Sequence, residues 1–136
     1  MKKEDLVAAA AEARVYAYAP YSGFAVGAAL LCDDSSVYTG CNVEAASYGN
    51  AICAERTALV KAVSRGRRCF TMLAVIADTA EPCTPCGICR QMLYEFSPEL
   101  VVLCAARDGS YVEKPLRQLL PDAFSGAALP PVRDVP

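Results

Sequence analysis

Apolar residues in the first third of the chain first recur at helical spacing and then form short runs that are typical of strands. A helix is predicted from Lys3 to about Tyr18, because apolar residues recur every three or four positions there and Pro20 follows. Two strands are then predicted at residues 24–31 and 37–41, because each run is apolar and turn-forming residues separate them. The short separation predicts an antiparallel hairpin.

Helices and strands are predicted to alternate along the rest of the chain as well. Helical periods and short continuous apolar runs predict helix 53–64, strand 72–77, helix 85–96, strands 100–105 and 111–113, and helix 115–120. Asp108-Gly109 is typical of a tight turn and predicts that strands 4 and 5 pair antiparallel. This order predicts an α/β fold in a single domain over residues 1–136, a three-layer α/β/α sandwich around a mixed five-stranded sheet.

Charge and hydropathy exclude two classes of partner. The net charge is -2, from 13 basic and 15 acidic residues, and the densest basic run covers only residues 65–68. A nucleic-acid surface normally carries far more positive charge, so no nucleic-acid partner is expected. The apolar runs are far shorter than the ~20 residues that cross a bilayer, and no signal-peptide core is visible. We therefore expect a cytoplasmic protein with no membrane partner.

Cysteine and histidine usage directs attention to sulfur chemistry. The chain has eight cysteines and no histidine. Without an export signal the thiols should stay reduced, which favours metal or catalytic roles over disulfides. The absence of histidine excludes Ser-His and Cys-His catalysis, and a transition-metal site must use sulfur. Four cysteines on or beside predicted strands are expected to be small core residues: Cys32, Cys41, Cys69 and Cys104.

Three other cysteines have the spacing of a zinc site. Cys86 and Cys89 lie three residues apart at a predicted helix start, and Cys53 opens another predicted helix. Three thiolates would leave the fourth tetrahedral position of Zn²⁺ for water, as in catalytic sites. Cys83 and Cys86 have the same spacing, and we favour Cys86 with Cys89 because Pro85 would begin the helix that orients both. A thioredoxin-like dithiol is the alternative interpretation of this pair.

Two charged residues follow Cys53. Arg56 is three residues further on, so it shares a helix face with Cys53 and is expected to donate to the cysteine sulfurs. An exposed surface arginine is the alternative. Two helical steps rotate Glu55 by roughly 200° from Cys53 if both are in regular helix. Glu55 therefore reaches a metal on Cys53 only if Cys53 caps the helix.

These motifs resemble a known family. Cys-Ala-Glu-Arg at 53–56 and Pro-Cys-Gly-Ile-Cys-Arg-Gln at 85–91 are similar to the zinc-dependent cytidine deaminases. Similar segments at 18–30, 40–44 and 119–125 extend the resemblance over nearly the whole chain. The short chain and the all-cysteine ligand set resemble the small homotetrameric form, which implies one Zn²⁺ per subunit.

The resemblance also implies a reaction and the residues that perform it. Free cytidine and deoxycytidine would be hydrolysed to uridine and deoxyuridine in pyrimidine salvage. Hydroxide supplied by the zinc would attack C4, while Glu55 would carry the protons. The residues implied to bind substrate are Asn42 and Glu44 at the ribose, Phe24 on the pyrimidine, the backbones of Ala54 and Cys86 at the ring, and Tyr48 and Phe124 from a neighbouring subunit.

Two alternative functions are compatible with the same residues. Ala45 and Ile88 depart from the usual family pattern, which leaves the fine substrate preference open. A deaminase of a cytosine-bearing antibiotic such as blasticidin is similar around the metal, but Phe24, Asn42 and Glu44 argue against it. A zinc or nucleoside-binding domain without turnover is a third reading, and it would need a fourth ligand such as Cys83.

Overall fold

The helices and strands follow the order predicted from the hydrophobic pattern. The computed structural model describes residues 1–131 and residue 135. The elements are α1 (Lys3–Arg14), β1 (Val26–Cys32), β2 (Val37–Cys41), α2 (Ala54–Ser64), β3 (Phe70–Ala77), α3 (Gly87–Phe96), β4 (Val101–Ala105), β5 (Tyr111–Pro115) and α4 (Leu116–Leu119). Among the described residues, no helix is long and apolar enough to cross a membrane.

The five strands form one mixed sheet with helices on both faces. Its order is β2-β1-β3-β4-β5, in which β3 and β4 are parallel and the other neighbours, including β4 and β5, are antiparallel. On one face, α1 buries Leu6, Val7 and Ala10 against the sheet. On the other face, α2, α3 and α4 bury a second core cluster that includes Leu59, Leu93 and Leu116. The predicted three-layer α/β/α class is confirmed.

Several predicted boundaries are wrong, and three of them lie near the candidate site. Helix α1 ends at Arg14 and not near Tyr18, because the backbone of Tyr18 exchanges hydrogen bonds with residues 42 and 44. Strand β1 begins at Val26 and not at Phe24. Helix α3 begins at Gly87, so Pro85 lies before the helix and not in its first turn. The first of these boundaries is set by long-range hydrogen bonds. The local spacing of apolar residues cannot reveal such bonds.

Two glycines let helices approach the sheet closely. A Cβ atom on Gly27 would lie 2.0 Å from the carbonyl oxygen of Ala10 in α1. A Cβ atom on Gly40 would lie 2.5 Å from the carbonyl oxygen of Ala54 and 2.5 Å from the amide nitrogen of Ala58. Gly40 therefore allows the first turn of α2, which carries several candidate site residues, to rest directly on β2.

The four cysteines outside the predicted metal site differ in burial. Cys32 and Cys104 are buried and Cys41 is half-buried, as expected for small residues in or near the core. Cys69 is exposed, so the prediction that it is a core residue is wrong. It lies just before β3, where the chain enters the sheet from the surface.

Candidate active site

Two helix N termini bring three thiols together. Cys53 is the N-cap residue of α2 and Cys86 is the N-cap residue of α3, both in extended conformation, and Cys89 lies in the first turn of α3. The Sγ atoms of Cys53 and Cys86 are 3.4 Å apart, and those of Cys86 and Cys89 are 3.5 Å apart. Cys83 is outside this cluster, whose three sulfur atoms all lie within 4.8 Å of one another.

The donor set fits zinc. Tetrahedral zinc with bonds of ~2.3 Å to thiolates places its sulfur ligands roughly 3.8 Å apart, close to the two separations observed here. Three sulfur donors leave one tetrahedral position free for water or substrate, as catalytic zinc sites do. The arrangement is therefore suited to an open metal centre.

Hydrogen bonds among the thiols and from Arg56 favour the thiolate form of Cys53. The side-chain hydrogen bond from Cys89, followed by those from Arg56 and Cys86, lowers the pKa of Cys53 to about 5. The same hydrogen bond to Cys53, together with burial, raises the pKa of Cys89. A thiolate at Cys53 is thus present at neutral pH, which is the form that coordinates metal.

Arg56 supplies the positive charge beside this thiolate. Its Nη2 donates to the Sγ of Cys53 at 3.8 Å and to the carbonyl oxygen of Ala51 at 3.3 Å. Burial opposes its charge, but the hydrogen bonds to Cys53 and Cys89 outweigh this and raise its pKa. Its Nε is buried and has no hydrogen-bond partner among the described residues, so this arginine is not an exposed surface group.

Glu55 is a buried carboxyl group next to the cluster. Only 4% of it is exposed, and burial, with the charge of Cys53 as a smaller cause, raises its pKa to about 7. Cys53 has φ -71° and ψ 155°, so it lies outside the helix and the rotation expected for two helical residues does not separate it from Glu55. The condition set by the sequence, that Cys53 caps the helix, is met.

These groups open into a cavity of about 190 Å³. Three parts of the chain line it: Phe24 and Val26 with Asn42, the start of α2 at residues 53–55, and the loop before α3 with Cys83, Thr84 and Cys86. Ala54 is among the lining residues although the residue as a whole is buried. The sequence did not identify Cys83, Thr84 and Val26 as cavity residues, and only their proximity to the motif residues could have suggested it.

Asn42 and Glu44 hold the segment that carries Phe24. Asn42 accepts from the amide of Val26 at 2.8 Å and donates to the carbonyl oxygen of Phe24 at 2.7 Å. Glu44 accepts from the amides of Tyr21 at 3.0 Å and Ser22 at 3.1 Å. The Ser22 hydroxyl also donates to Glu44, and these hydrogen bonds lower the pKa of the Glu44 carboxyl. Ser22 is a further residue that the sequence did not reveal.

Tyr48 and Phe124 lie outside the cavity and are largely exposed. Tyr48 is 74% exposed and its ring meets that of Tyr21 edge to face, with centroids 5.6 Å apart. Phe124 is 58% exposed, and its carbonyl oxygen accepts from Nε2 of Gln91 in α3 at 2.9 Å. Within one chain, neither residue contributes to the lining next to the thiols.

A larger open groove of about 650 Å³ lies elsewhere, between α1, β2 and α2. It is lined by residues such as Tyr16, Thr39 and Lys61 and contains none of the predicted site residues. Its size alone does not make it the reactive site, because the cluster of potential metal ligands found among the described residues, Cys53, Cys86 and Cys89, lies outside it.

Three thiols that would leave one position on a zinc ion open, beside a buried carboxyl group that can carry protons, define the class of zinc-dependent hydrolases. Residues 1–105 match the family described as cytidine and deoxycytidylate deaminase zinc-binding region. The chain belongs to this family, as the resemblance predicted, and its metal is zinc.

Similar proteins agree with this assignment. The chain is 49% identical to a cytidine deaminase of Sporosarcina psychrophila over 126 residues, which covers 92% of this chain and 93% of that protein. It is also 49% identical over 126 residues to a cytidine deaminase of Halalkalibacterium halodurans, with 92% and 96% covered. The crystal structure of cytidine deaminase from Burkholderia pseudomallei superimposes with a TM-score of 0.88 at 48% identity, covering 91% of this chain and 100% of that one.

Proposed function

We propose that the protein hydrolyses free cytidine and deoxycytidine to uridine and deoxyuridine, with release of ammonia. The observation that carries this proposal is the shared cavity, in which Cys53, Cys86 and Glu55 face the same space as Phe24 and Asn42. The buried Cys89 completes the three-sulfur cluster beside that cavity. The relatives named cytidine deaminase, matched over nearly their whole length, support the same reaction. A cytoplasmic location and a role in pyrimidine salvage belong to this proposal.

Cys53, Cys86 and Cys89 would hold the metal in this reaction. When bound, zinc acts as a Lewis acid that makes a water molecule acidic enough to be a nucleophile near neutral pH. Three thiolates donate much negative charge and weaken that effect. Arg56 offsets part of this charge through its hydrogen bond to Cys53.

Glu55 would move the protons. It accepts one proton from the attacking water and delivers it to N3 of the cytosine ring. It then takes the second proton, which remains on the new hydroxyl at C4, and gives it to the departing amino nitrogen as the C4 carbonyl forms. A water molecule is consumed, the bond from C4 to the amino nitrogen breaks, and ammonia leaves. A carboxyl whose pKa is about 7 both accepts and donates protons readily at neutral pH.

Recognition of the nucleoside would use the remaining residues around the cavity. Phe24 packs on the pyrimidine, and the backbones of Ala54 and Cys86 contact its polar edge. Asn42 and Glu44 already hydrogen-bond to the backbone of residues 21–26. They bond the ribose through the donor and acceptor positions that those hydrogen bonds leave free. Because Glu44 carries a negative charge, it repels a phosphate on the sugar and favours free nucleosides over nucleotides.

A neighbouring subunit would complete each site in a homotetramer. The cavity of about 190 Å³ is smaller than the ~300–1,000 Å³ of most ligand sites. Exposed Tyr48 and Phe124 are suited to supply the missing walls from another copy. Light scattering should therefore give a mass close to four times 14.4 kDa. A monomeric mass in the active enzyme would contradict the shared site.

One ultraviolet assay tests the reaction. The zinc-loaded protein is incubated in parallel with cytidine, deoxycytidine, cytosine, cytidine monophosphate and blasticidin, and the loss of the cytosine absorbance is followed. We expect turnover of the two nucleosides and little of the others. Turnover of blasticidin alone would favour the antibiotic deaminase, and a zinc-loaded protein inactive on all five would contradict the proposal.

A further inference from the structure

Cys83 is a cavity residue with no part in the proposed chemistry. It lines the 190 Å³ cavity with Glu55 and Phe24, yet it lies outside the sulfur cluster of Cys53, Cys86 and Cys89. Its amide donates to the carbonyl oxygen of Ala105 at 3.0 Å, which ties the loop to the end of β4. Its side chain is partly buried and packs against the main core. Cys83 is therefore a well-supported part of the cavity wall.

The thiol of Cys83 is a neutral group at physiological pH. Burial, with the charge of Glu55 as the next cause, raises its pKa to about 12. A protonated thiol is a poor nucleophile and a poor metal ligand, and it behaves as a small apolar side chain. Its contribution to the cavity is thus its size and shape.

The proposed orientation of the substrate assigns one ring edge to this wall. The ring nitrogen that carries the sugar points towards Asn42, the N3 edge faces Glu55, and C4 faces the three thiols. Phe24 covers a face of the ring. The parts of the ring that remain are the C2 carbonyl and the C5–C6 edge, and the lining that remains is Val26 and the loop with Cys83 and Thr84. Because C5 is bonded to C4, which faces the sulfur cluster, and because this loop leads directly into Cys86, we assign the loop to the C5 edge.

We propose that Cys83 determines which substituents at C5 of the pyrimidine this enzyme accepts. The inference rests on the proposed deamination of cytidine. A small side chain at this position leaves room for a group such as a methyl beside C5. A larger apolar side chain fills that room and excludes the substituted ring, while unsubstituted cytidine still fits.

The experiment compares 5-methylcytidine with cytidine in four proteins: the zinc-loaded wild type, Cys83→Ala, Cys83→Val and Cys83→Leu. The measured quantity is the ratio of kcat/KM for the two substrates. We expect the ratio to fall in the order Ala, Val, Leu, and by roughly tenfold or more between Ala and Leu. N4-methylcytidine serves as a second probe, and its ratio to cytidine should change by less than about threefold. Cys69→Val, at an exposed site, is the matched control.

Each other outcome overturns the inference in a recognisable way. Ratios equal within about twofold in all variants, or a parallel loss on both substrates, would show that Cys83 does not select at C5. A change confined to N4-methylcytidine would place the wall at another edge. If the wild type and Cys83→Ala both fail to deaminate 5-methylcytidine, the proposed space beside C5 does not exist. If Cys83→Leu fails to fold, the comparison of Ala with Val decides. Zinc-loaded wild type without cytidine turnover would overturn the proposed function itself.

Discussion

The candidate site has an inner end and an outer end, and the two are built differently. The inner end consists of Cys53, Glu55, Arg56, Cys86 and Cys89, and it is held by two helix N termini and a network of hydrogen bonds within one chain. The outer end consists of Phe24, Tyr48 and Phe124, whose side chains are 47%, 74% and 58% exposed. One chain therefore assembles the groups for chemistry, whereas the groups proposed for nucleoside recognition are left incomplete.

The difference has a physical cause. Buried charged groups need partners at fixed positions, since an unpaired charge out of water is costly, so the inner end is tightly constrained by its own chain. Aromatic side chains contribute to binding mainly through the apolar surface area that they bury. A neighbouring subunit can provide such side chains as well as the same chain can. Substitutions at the two ends should consequently have different effects, and the following predictions test this from the largest expected effect to the smallest.

Removal of one sulfur should have the largest effect. Cys89→Ser should weaken zinc binding at least about 100-fold and abolish turnover, because the ligand set loses one of three thiolates. Metal analysis of the purified protein measures this. Cys83→Ser and Cys69→Ser are the matched controls and should keep their zinc. Zinc loss in Cys83→Ser with retention in Cys89→Ser would reverse the proposed ligand assignment.

Glu55→Gln should leave the metal in place and stop the reaction. The amide is nearly the same size but cannot carry a proton, so kcat should fall by roughly 10²–10⁴-fold. The ultraviolet assay with cytidine gives kcat, and metal analysis of the same sample gives zinc content. A variant with full zinc and wild-type kcat would remove Glu55 from proton transfer.

Gly40→Ala should loosen the inner end from a distance. The added methyl group would lie 2.5 Å from backbone atoms of Ala54 and Ala58, so α2 must move away from β2. We expect a loss of about 2 kcal/mol in the free energy of unfolding, a common cost of overpacking. Thermal unfolding measures it. Gly126→Ala, which has open space around the new atom, should change stability far less.

Phe124→Ala should affect the outer end only. If Phe124 of a neighbouring copy contacts the substrate, KM for cytidine should rise by roughly tenfold, the value of one lost aromatic contact to a base. The value of kcat and the zinc content should change little. Leu129→Ala, another exposed apolar residue of the same C-terminal segment, is the control. An unchanged KM would exclude Phe124 from substrate binding.

Ser22→Ala should have the smallest effect and depend on pH. The Ser22 hydroxyl holds the pKa of Glu44 below its usual value, so the carboxylate and its hydrogen bonds persist above the ordinary pKa and are lost as pH falls through the lowered one. Without the hydroxyl, KM for cytidine should begin to rise at a higher pH as the solution is acidified, with at most about a fivefold loss of binding at acidic pH. The limb of kcat that Glu55 sets near pH 7 should stay in place. Ser110→Ala removes a similar bond to Asp108 and should leave the profile unchanged.

Much of the fold was predictable because the spacing of apolar residues along the chain shows which side of each helix or strand is buried. The apolar runs at β3 and β4 and the helical spacing of α2 and α3 are produced by which face of each element packs against the sheet. Boundaries were less predictable. Tyr18 leaves the helical pattern because its backbone bonds to the distant residues 42 and 44, and no pattern within residues 3–18 carries that information.

The sequence by itself determined the order of the elements, the three-layer class, the absence of histidine from any site and the spacing of the candidate thiols. Only the tertiary structure decided that Cys53 caps α2 in extended conformation, which brings Glu55 to the sulfur cluster, and that Cys83 lines the cavity without joining that cluster. The reason is physical: spacing constrains neighbours on one element, whereas a site between two helix N termini depends on how the sheet sets those helices against each other.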